Sequence, residues 1–368
     1  MMTVPANIPP AVERSVASPP SPPDAAWVKR RAKELGADLV GIASAATLNA
    51  FPPDPRWPQT PERISRYCKS VIVIAQRIPA GAFRCKTNTP VQYLDMLVMR
   101  RMDKVAYRLS DELERAGHPT LVTAAQETDW TYKRASYGRL STRHLGVEAG
   151  LGTLGLEVNI LTPEFGPRVY LTGILTELEL KPDERITEQV CIGESCSRCL
   201  HSCPGDAVGH FDIDKRLCAK HAQEFGFATA LKLFNDMVKA RGGADVRRTL
   251  ADAIRSREFF GFWQGLLRVV GSFGDCPRCL EVCPVGNDYH AFLAEHHRVI
   301  PERTPAKEAK AKTFKAARKG DETPSGLNDW NVRWVGPEGY QGMVAKQLQA
   351  FKKAQQEKRD AADSEAEH

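Results

Sequence analysis

The 368-residue sequence contains no long hydrophobic run and little net charge. A membrane-spanning helix needs roughly 20 apolar residues, and the densest apolar stretches, at 71–75 and 266–270, are far shorter. The 51 Lys and Arg nearly balance the 45 Asp and Glu, and the net charge of +6 does not by itself require a nucleic-acid or membrane partner. Arg30 and Arg31 form a twin arginine, but the charged residues after them are untypical of an export signal. We therefore expect a cytoplasmic protein that does not contact a membrane.

Cysteine is almost absent outside about one quarter of the chain. Only Cys68 and Cys85 lie elsewhere, and we expect them to be ordinary buried or half-buried thiols. The other eight are Cys191, Cys196, Cys199, Cys203, Cys218, Cys276, Cys279 and Cys283. Because a reducing cytoplasm keeps thiols from forming disulfides, clustered cysteines of this kind indicate metal binding.

The pattern C-x2-C-x3-C-P occurs twice, at 196–204 and at 276–284. In bacterial ferredoxins a C-x2-C-x2-C-x3-C-P run holds one [4Fe–4S] cluster with its first three cysteines, and the cysteine before proline binds the other cluster. Each copy here lacks the first cysteine, for which Cys191 and Cys218 are the available substitutes. The predicted ligand sets are Cys191, Cys196, Cys199 and Cys283 for one cluster, and Cys218, Cys276, Cys279 and Cys203 for the other. The alternative is zinc bound by four thiolates per site, although zinc sites do not need the x3-C-P spacing.

Composition divides the chain into four segments. Residues 1–25 are rich in proline and predict a disordered leader. Residues 26–185 mix helical and strand patterns, which indicates an α+β or α/β layered domain. Residues 186–300 form the cysteine domain with a helical insert at 222–272, and residues 301–368 form a polar, basic and charged tail in which we expect a solvated helix. Since a bare ferredoxin would need only the cysteine domain, we expect the first domain to hold a redox cofactor or a substrate.

Gly150, Gly152 and Gly155 match the pattern G-x-G-x-x-G, with Glu177 at the distance that a dinucleotide fingerprint requires. The context does not suit a nicotinamide site, because a helical pattern precedes the glycines and a strand pattern follows them. Three glycines would still let backbone amides approach a large planar or phosphate-bearing ligand.

Several segments together resemble the corrinoid-dependent iron–sulfur reductases. They are A-G-L-G-T-L-G at 149–155, L-T-P-E-F-G-P-R-V at 161–169 and L-T-E-L at 175–178, followed by the cysteine pattern with its detached Cys218. That superfamily comprises epoxyqueuosine reductase and the reductive dehalogenases, and the resemblance extends from about residue 27 to residue 285. It implies a nitroreductase-like corrinoid-binding domain followed by a two-[4Fe–4S] ferredoxin-like domain, with cobalamin as the acceptor of electrons from both clusters.

The resemblance also implies which residues face the cofactor. Gly150, Gly152 and Gly155 would lie beside the corrinoid, and Arg168 would supply a fixed cation near it. Glu157 departs from the family, in which asparagine is usual at this position.

The implied reaction is the two-electron reduction of a carbon–halogen or carbon–oxygen bond, with a protein side chain as proton donor. Epoxyqueuosine reductases carry an aspartate upstream of the glycine loop, and Ser136 stands at that position here. Reductive dehalogenases use a tyrosine beside a basic group. Tyr132 and Tyr137 are the candidates, because nearby cations lower the pKa of a phenol and these tyrosines are flanked by Lys133, Arg134 and Arg139. The alternative is a loop that merely packs on the domain surface.

These observations predict a reductive dehalogenase-like oxidoreductase that takes electrons from an external ferredoxin, flavodoxin or reductase and acts on a small molecule. One alternative is an epoxyqueuosine reductase-like enzyme that modifies tRNA, for which the basic run from Arg303 to Lys319 would contact the tRNA stem. That run has no interleaved aromatic residue except Phe314, which favours a solvated tail. The other alternative is a non-catalytic electron carrier of the ferredoxin type.

Overall fold

The computed structural model describes residues 22–54, 57–85, 89–125, 127, 129–132, 137–222, 227–240, 242–268, 276–295, 297–317 and 332–334. The described α-helices are α1 (Ala25–Leu35), α2 (Ala45–Ala50), α3 (Thr89–Arg115), α4 (Thr142–Glu148), α5 (Arg198–Ser202), α6 (Lys215–Ala222), α7 (Phe227–Lys239), α8 (Gly243–Arg255), α9 (Arg257–Arg268), α10 (Arg278–Val282), α11 (Asn287–Phe292) and α12 (Pro305–Ala317). The described strands are β1 (Leu39–Ser44), β2 (Ser70–Arg77), β3 (Thr120–Val122), β4 (Thr153–Leu154), β5 (Ile160–Leu161), β6 (Val169–Thr176), β7 (Asp212–Asp214) and β8 (Val332–Trp334). Helices and strands are mixed along the chain, as the sequence predicts.

A four-stranded antiparallel sheet, in the order β1-β2-β6-β3, forms the centre of the N-terminal part. Strand β2 is buried on both faces, which explains its continuous apolar sequence. Val71 and Val73 face a core that contains residues of α4. Ile72 and Ile74 face the opposite core, which contains residues of α1 and α3. The sheet is therefore covered by helices on both sides.

Apolar residues recur at helical spacing along the C-terminal part of the long helix α3. Met102, Val105, Leu109 and Leu113 are buried against the sheet, because residues three and four positions apart share one face of a helix. Leu97, which belongs to the same sequence pattern, is 40% exposed. Val91 and Val98 are buried as well, so the buried face runs along the whole helix and Leu97 lies beside it.

The segment around the three glycines has the predicted order of a helix followed by a strand. Helix α4 precedes the glycines, β4 lies between Gly152 and Gly155, and β5 follows them and pairs with β4 as a short antiparallel ribbon. The strand predicted from Val158 onward begins only at Ile160, because Val158 has a left-handed backbone with φ of 68°. This order differs from that of a dinucleotide-binding unit.

Helix α12 corrects the expectation of a solvated helix after residue 302. Its residues Lys307 and Ala311 are buried, and the ring of Phe314 stacks on the ring of His210 with centroids 5.1 Å apart. The helix therefore packs on the cysteine region. The last two cations of the basic run, Arg318 and Lys319, lie outside the described residues, as does most of the predicted leader. None of the described helices combines the length and apolarity required to cross a bilayer.

Candidate functional site

Four of the eight clustered cysteines line one cavity. They are Cys191, Cys196, Cys199 and Cys283, which are the four predicted for one cluster. Cys199 lies on α5 and Cys283 directly follows α10. Because α5 and α10 pack against each other, the last cysteine of the second pattern reaches the first two cysteines of the first pattern.

The other four cysteines are also brought together. The thiol of Cys279, on α10, lies within electrostatic range of Cys203, Cys276 and Cys218. Cys203 ends α5, and Cys218 lies on α6. The packing of these two short helices brings cysteines of both patterns near one another, and the exchange of one ligand between two clusters stays a prediction.

The chemistry of these donors fits iron–sulfur clusters. Burial raises the pKa of the Cys191 thiol to about 11 and raises those of Cys199, Cys279 and Cys283 well above 9. Such thiols stay protonated until a metal displaces the proton. Two sets of four thiols, one of them around a cavity, match the donors of two [4Fe–4S] clusters. Within the described ranges, no three His, Cys, Asp or Glu side chains are grouped so as to hold a single metal ion.

Glu157 lines the same cavity. It is 3% exposed, and its carboxyl forms a hydrogen bond with Cys199. Burial raises the pKa of this carboxyl to about 7. In the part of the chain that the structure describes, its Oε1 atom has no hydrogen-bond partner. Glu157 therefore lies next to the cysteines as well as next to Gly155.

Arg168 contacts the second cysteine loop. Its guanidinium donates to the carbonyl oxygens of Leu280, Cys283 and Val285 at 2.9, 3.1 and 2.7 Å. It also forms two hydrogen bonds with the carboxylate of Asp288. These five bonds use all five N–H groups of the side chain. Arg168 is therefore a fixed cation whose donors hold the loop of Cys283, and its place near a cofactor stays a prediction.

At each of the three glycines, other atoms of the protein occupy the space that a side chain would need. A Cβ atom at Gly150 would lie 2.3 Å from the carbonyl oxygen of Glu184, and one at Gly152 would lie 2.2 Å from that of Leu161. At Gly155 it would lie 2.4 Å from a methyl group of Leu161. The absence of side chains thus serves close packing of the chain on itself. The residues predicted to contact a corrinoid do not form a cradle for one.

Tyr132 and Tyr137 meet around Trp57. The ring centroid of Trp57 lies 5.7 Å from that of Tyr132 and 5.9 Å from that of Tyr137. The hydroxyl of Tyr132 donates to the carbonyl oxygen of Pro58 at 2.7 Å and accepts from Arg63, whose guanidinium carbon lies 4.1 Å from the ring centroid. Burial nevertheless raises the pKa of Tyr132 to about 12. The expected lowering by a cation is wrong for Tyr132, because desolvation outweighs the charge of Arg63.

Tyr137 has different surroundings. It is 1% exposed, and its hydroxyl lies 3.5 Å from Oδ2 of Asp54, a buried carboxylate. The ammonium group of Lys215 lies 4.0 Å from the centroid of its ring. Lys215 begins α6, the helix that carries Cys218. Tyr137 is therefore flanked by a carboxylate and an ammonium group, the latter on the helix that carries Cys218.

The sequence did not indicate Arg63, Asp54 or Lys215 as site residues. Asp54 lies in a proline-rich loop, where a single carboxylate carries no recognisable spacing. Of the cations that were predicted to flank the tyrosines, Arg139 lies 3.9 Å from Glu127. Lys133 and Arg134, with Ser136, lie outside the described residues.

Comparisons with known proteins give relatives of two kinds, and no family model matches the chain. The epoxyqueuosine reductase of Bacillus subtilis (strain 168) is 24% identical over 293 residues, which are 70% of this chain and 63% of that protein. The tetrachloroethene reductive dehalogenase of Sulfurospirillum multivorans is 42% identical over 65 residues, which are 17% of this chain and 13% of that protein.

Solved structures of both kinds also match. An epoxyqueuosine reductase with an epoxyqueuosine-modified tRNA stem loop has a TM-score of 0.39 at 23% identity, covering 54% of this chain and 57% of that one. A catabolic reductive dehalogenase in complex with 3-bromo-4-hydroxybenzoic acid has a TM-score of 0.45 at 17% identity, covering 80% and 36%. The chain spans only 53% to 63% of the length of the epoxyqueuosine reductases that it matches most extensively. The predicted resemblance is confirmed by the curated relatives, since the chain is similar both to epoxyqueuosine reductases and to reductive dehalogenases.

Proposed function

We propose that the chain is an iron–sulfur reductase of the epoxyqueuosine reductase type, in which electrons from an external donor pass through two [4Fe–4S] clusters to a carbon–oxygen bond of a tRNA-borne substrate. The observation that carries this proposal is the grouping of Cys191, Cys196, Cys199 and Cys283 around one cavity, with Cys279 near Cys203, Cys218 and Cys276. Three epoxyqueuosine reductases match 50% to 70% of the chain, whereas the dehalogenases match only 17% to 18%. The alternative function from the sequence is thus better supported than the dehalogenase that we expected first.

The packing of α5 on α10 supports transfer between two clusters. The two helices hold cysteines of both sets, so clusters bound there would be close neighbours. Arg168 holds the carbonyl groups of the Cys283 loop. Lys307 donates to the carbonyl oxygens of His201 and Cys203 at 3.2 and 2.7 Å at the end of α5. Both cations fix backbone around the ligands and leave the thiols free to bind iron.

Tyr137 is the candidate proton donor of the proposed reaction. Its hydroxyl lies 3.5 Å from Oδ2 of Asp54, and the ammonium group of Lys215 lies 4.0 Å from the centroid of its ring. Tyr132 is a poorer donor, because its hydroxyl is held between Arg63 and Pro58. A corrinoid, if bound, would supply the two-electron reduction of the substrate bond, as the resemblance implies. Since Arg168 and the three glycines do not form a cradle for it, we assign no step through it.

Reductive dehalogenation is the second candidate. It is favoured by the pairing of Tyr137 with the basic side chain of Lys215, which corresponds to the tyrosine and basic group implied by the resemblance. The two functions are separated by incubating the reduced protein with an epoxyqueuosine-containing tRNA stem loop and with a halogenated phenol. Loss of the epoxide only in the first mixture supports the proposal, and release of halide in the second supports the alternative.

Metal analysis of protein purified without oxygen tests the cluster arrangement. We expect about eight iron atoms per chain, the content of two four-iron clusters. Cys199→Ser and Cys279→Ser should each lower the iron content by about half. The matched controls are Cys68→Ser and Cys85→Ser, which should retain all the iron, since these thiols lie outside both sets. Zinc in place of iron would refute the proposal. Iron uptake without reduction of either substrate would favour the remaining alternative, a non-catalytic electron carrier.

A further inference from the structure

The helical insert between Cys218 and Cys276 exposes apolar side chains that a packed helix would bury. On α7, Leu231, Phe234 and Val238 lie at the spacing of one helical face and are 46%, 59% and 85% exposed. The three helices α7, α8 and α9 pack against one another. Among their described side chains, however, only Ala230 is buried. The apolar surface of the insert therefore exceeds what these helices cover.

The other two helices of the insert add to this surface. Phe260 and Trp263, one turn apart on α9, are 61% and 50% exposed, and Ile254 on α8 is 56% exposed. Large exposed apolar side chains that lie together on a surface element mark sites of interaction. Trp and Phe are typical of amphipathic helices that lie in the boundary between lipid headgroups and acyl chains.

The charge of the insert indicates an anionic partner. Residues 227–268 contain eight Lys and Arg against four Asp and Glu, so this segment carries +4 of the +6 of the whole chain. Exposed cations stand directly beside exposed apolar residues, as with Lys239 after Val238 and Arg255 after Ile254. A nucleic acid would match these charges but would leave the aliphatic side chains in water. An anionic lipid surface matches both, because it offers negative headgroups above an apolar layer.

We propose that helices α7, α8 and α9 form a peripheral docking surface for an anionic lipid bilayer. No spanning helix is required, because side chains of such helices enter only the boundary of the bilayer. This inference is independent of the proposed reduction, since it uses none of the cysteines or tyrosines of the candidate site.

Co-sedimentation of the full-length chain with vesicles tests the proposal. Vesicles of phosphatidylcholine with phosphatidylglycerol should bind the chain at low salt, and vesicles of phosphatidylcholine alone should bind it about tenfold more weakly. The double variant Phe260→Ser, Trp263→Ser should lose about tenfold of the binding to anionic vesicles. Because both side chains are largely exposed, the variant should retain the fold, which its circular dichroism and iron content would show. The matched control is Tyr107→Ser on α3, where the replaced aromatic side chain is 67% exposed and binding should not change.

Two results would overturn this inference. One is that the chain sediments with neither kind of vesicle. The other is that the double variant binds anionic vesicles as tightly as the parent chain. If an RNA stem loop, rather than vesicles, loses affinity for the double variant, the surface binds nucleic acid and the assignment to lipid is wrong.

Discussion

Arg168 and Asp288 form a buried ion pair that joins the central sheet to the second cysteine pattern. The guanidinium donates to both carboxylate oxygens, with Nη2 to Oδ1 at 2.8 Å and Nε to Oδ2 at 3.0 Å. Arg168 immediately precedes β6, and its side chain is fully buried. The sheet and the loop of Cys283 are thereby held in one arrangement, although 120 residues separate the two partners in sequence.

Removal of this pair should damage both stability and metal binding. Arg168→Gln leaves the carboxylate of Asp288 and three carbonyl groups without their cation, and breaking a buried pair in this way costs about 3–5 kcal/mol. We expect lower stability in urea unfolding and loss of the cluster that uses Cys283, measured as about half the iron. Arg115→Gln is the control, since its pair with Asp111 lies on the surface. Full iron content in the Arg168 variant would show that the loop holds its shape without the guanidinium.

Lys307 should stabilise the end of the first cysteine helix. Its ammonium group donates to the carbonyl oxygens of His201, Cys203 and Glu302. Lys307→Met keeps the apolar stem but leaves these carbonyls unpaired, which costs about 1–3 kcal/mol. The unfolding midpoint of the anaerobic protein measures the effect. Lys312→Met on the same helix, at an exposed position, is the control, and equal midpoints for the two variants would contradict the role of Lys307.

The two tyrosines should respond differently to loss of the hydroxyl. Tyr137→Phe removes the group beside Asp54, and we expect turnover to fall about a hundredfold, as for loss of a general acid. Tyr132→Phe should reduce turnover much less, because its hydroxyl is held by Arg63 and Pro58. An ultraviolet titration should show Tyr132 ionising only near pH 12, since burial raises its pKa. Full turnover by the Tyr137 variant would remove it as proton donor.

Acid should destabilise the fold through His144. Burial lowers the pKa of this imidazole from 6.5 to about 3, with the charge of Arg185 acting in the same direction. The unfolded chain therefore takes up a proton between pH 6.5 and pH 3 that the folded chain does not. The unfolding free energy should fall over this window by up to about 1.4 kcal/mol per pH unit. Urea unfolding at several pH values measures the slope.

A pair of histidine variants isolates that effect. His144→Gln should flatten the slope below pH 6.5, because the buried position then has no proton to take up. His290→Gln replaces an exposed histidine and should leave the slope as it is in the parent chain. An unchanged slope in the His144 variant would assign the acid sensitivity to other groups.

The predictions that depended on local spacing agree with the structure best. The repeated C-x2-C-x3-C-P pattern places cysteines on or next to two short helices, and the structure brings Cys191, Cys196, Cys199 and Cys283 to one cavity. The apolar periodicity of α3 similarly indicated its buried face. Both signals are carried by residues a few positions apart, where backbone geometry alone relates spacing to contact.

The roles of single charged residues could not be predicted from local spacing. Arg168 was expected to face a cofactor, and Lys307 was expected to face solvent. Both are buried cations that bind backbone carbonyls of segments about 100 residues away. The sequence shows that a cation is present, but its partners are chosen by how the helices and the sheet pack.

The sequence by itself determined that eight cysteines are clustered in one part of the chain, six of them in a repeated pattern, and that a mixed layer of helices and strands precedes them. Only the tertiary structure decided what surrounds these elements. All N–H groups of Arg168 are bonded within the protein, and the chain packs closely against the three glycines. Tyr137 contacts Asp54, and the insert exposes apolar side chains. The physical reason is that periodicity acts over one or two helical turns, whereas burial and hydrogen-bond partners depend on contacts between segments that are distant in the chain.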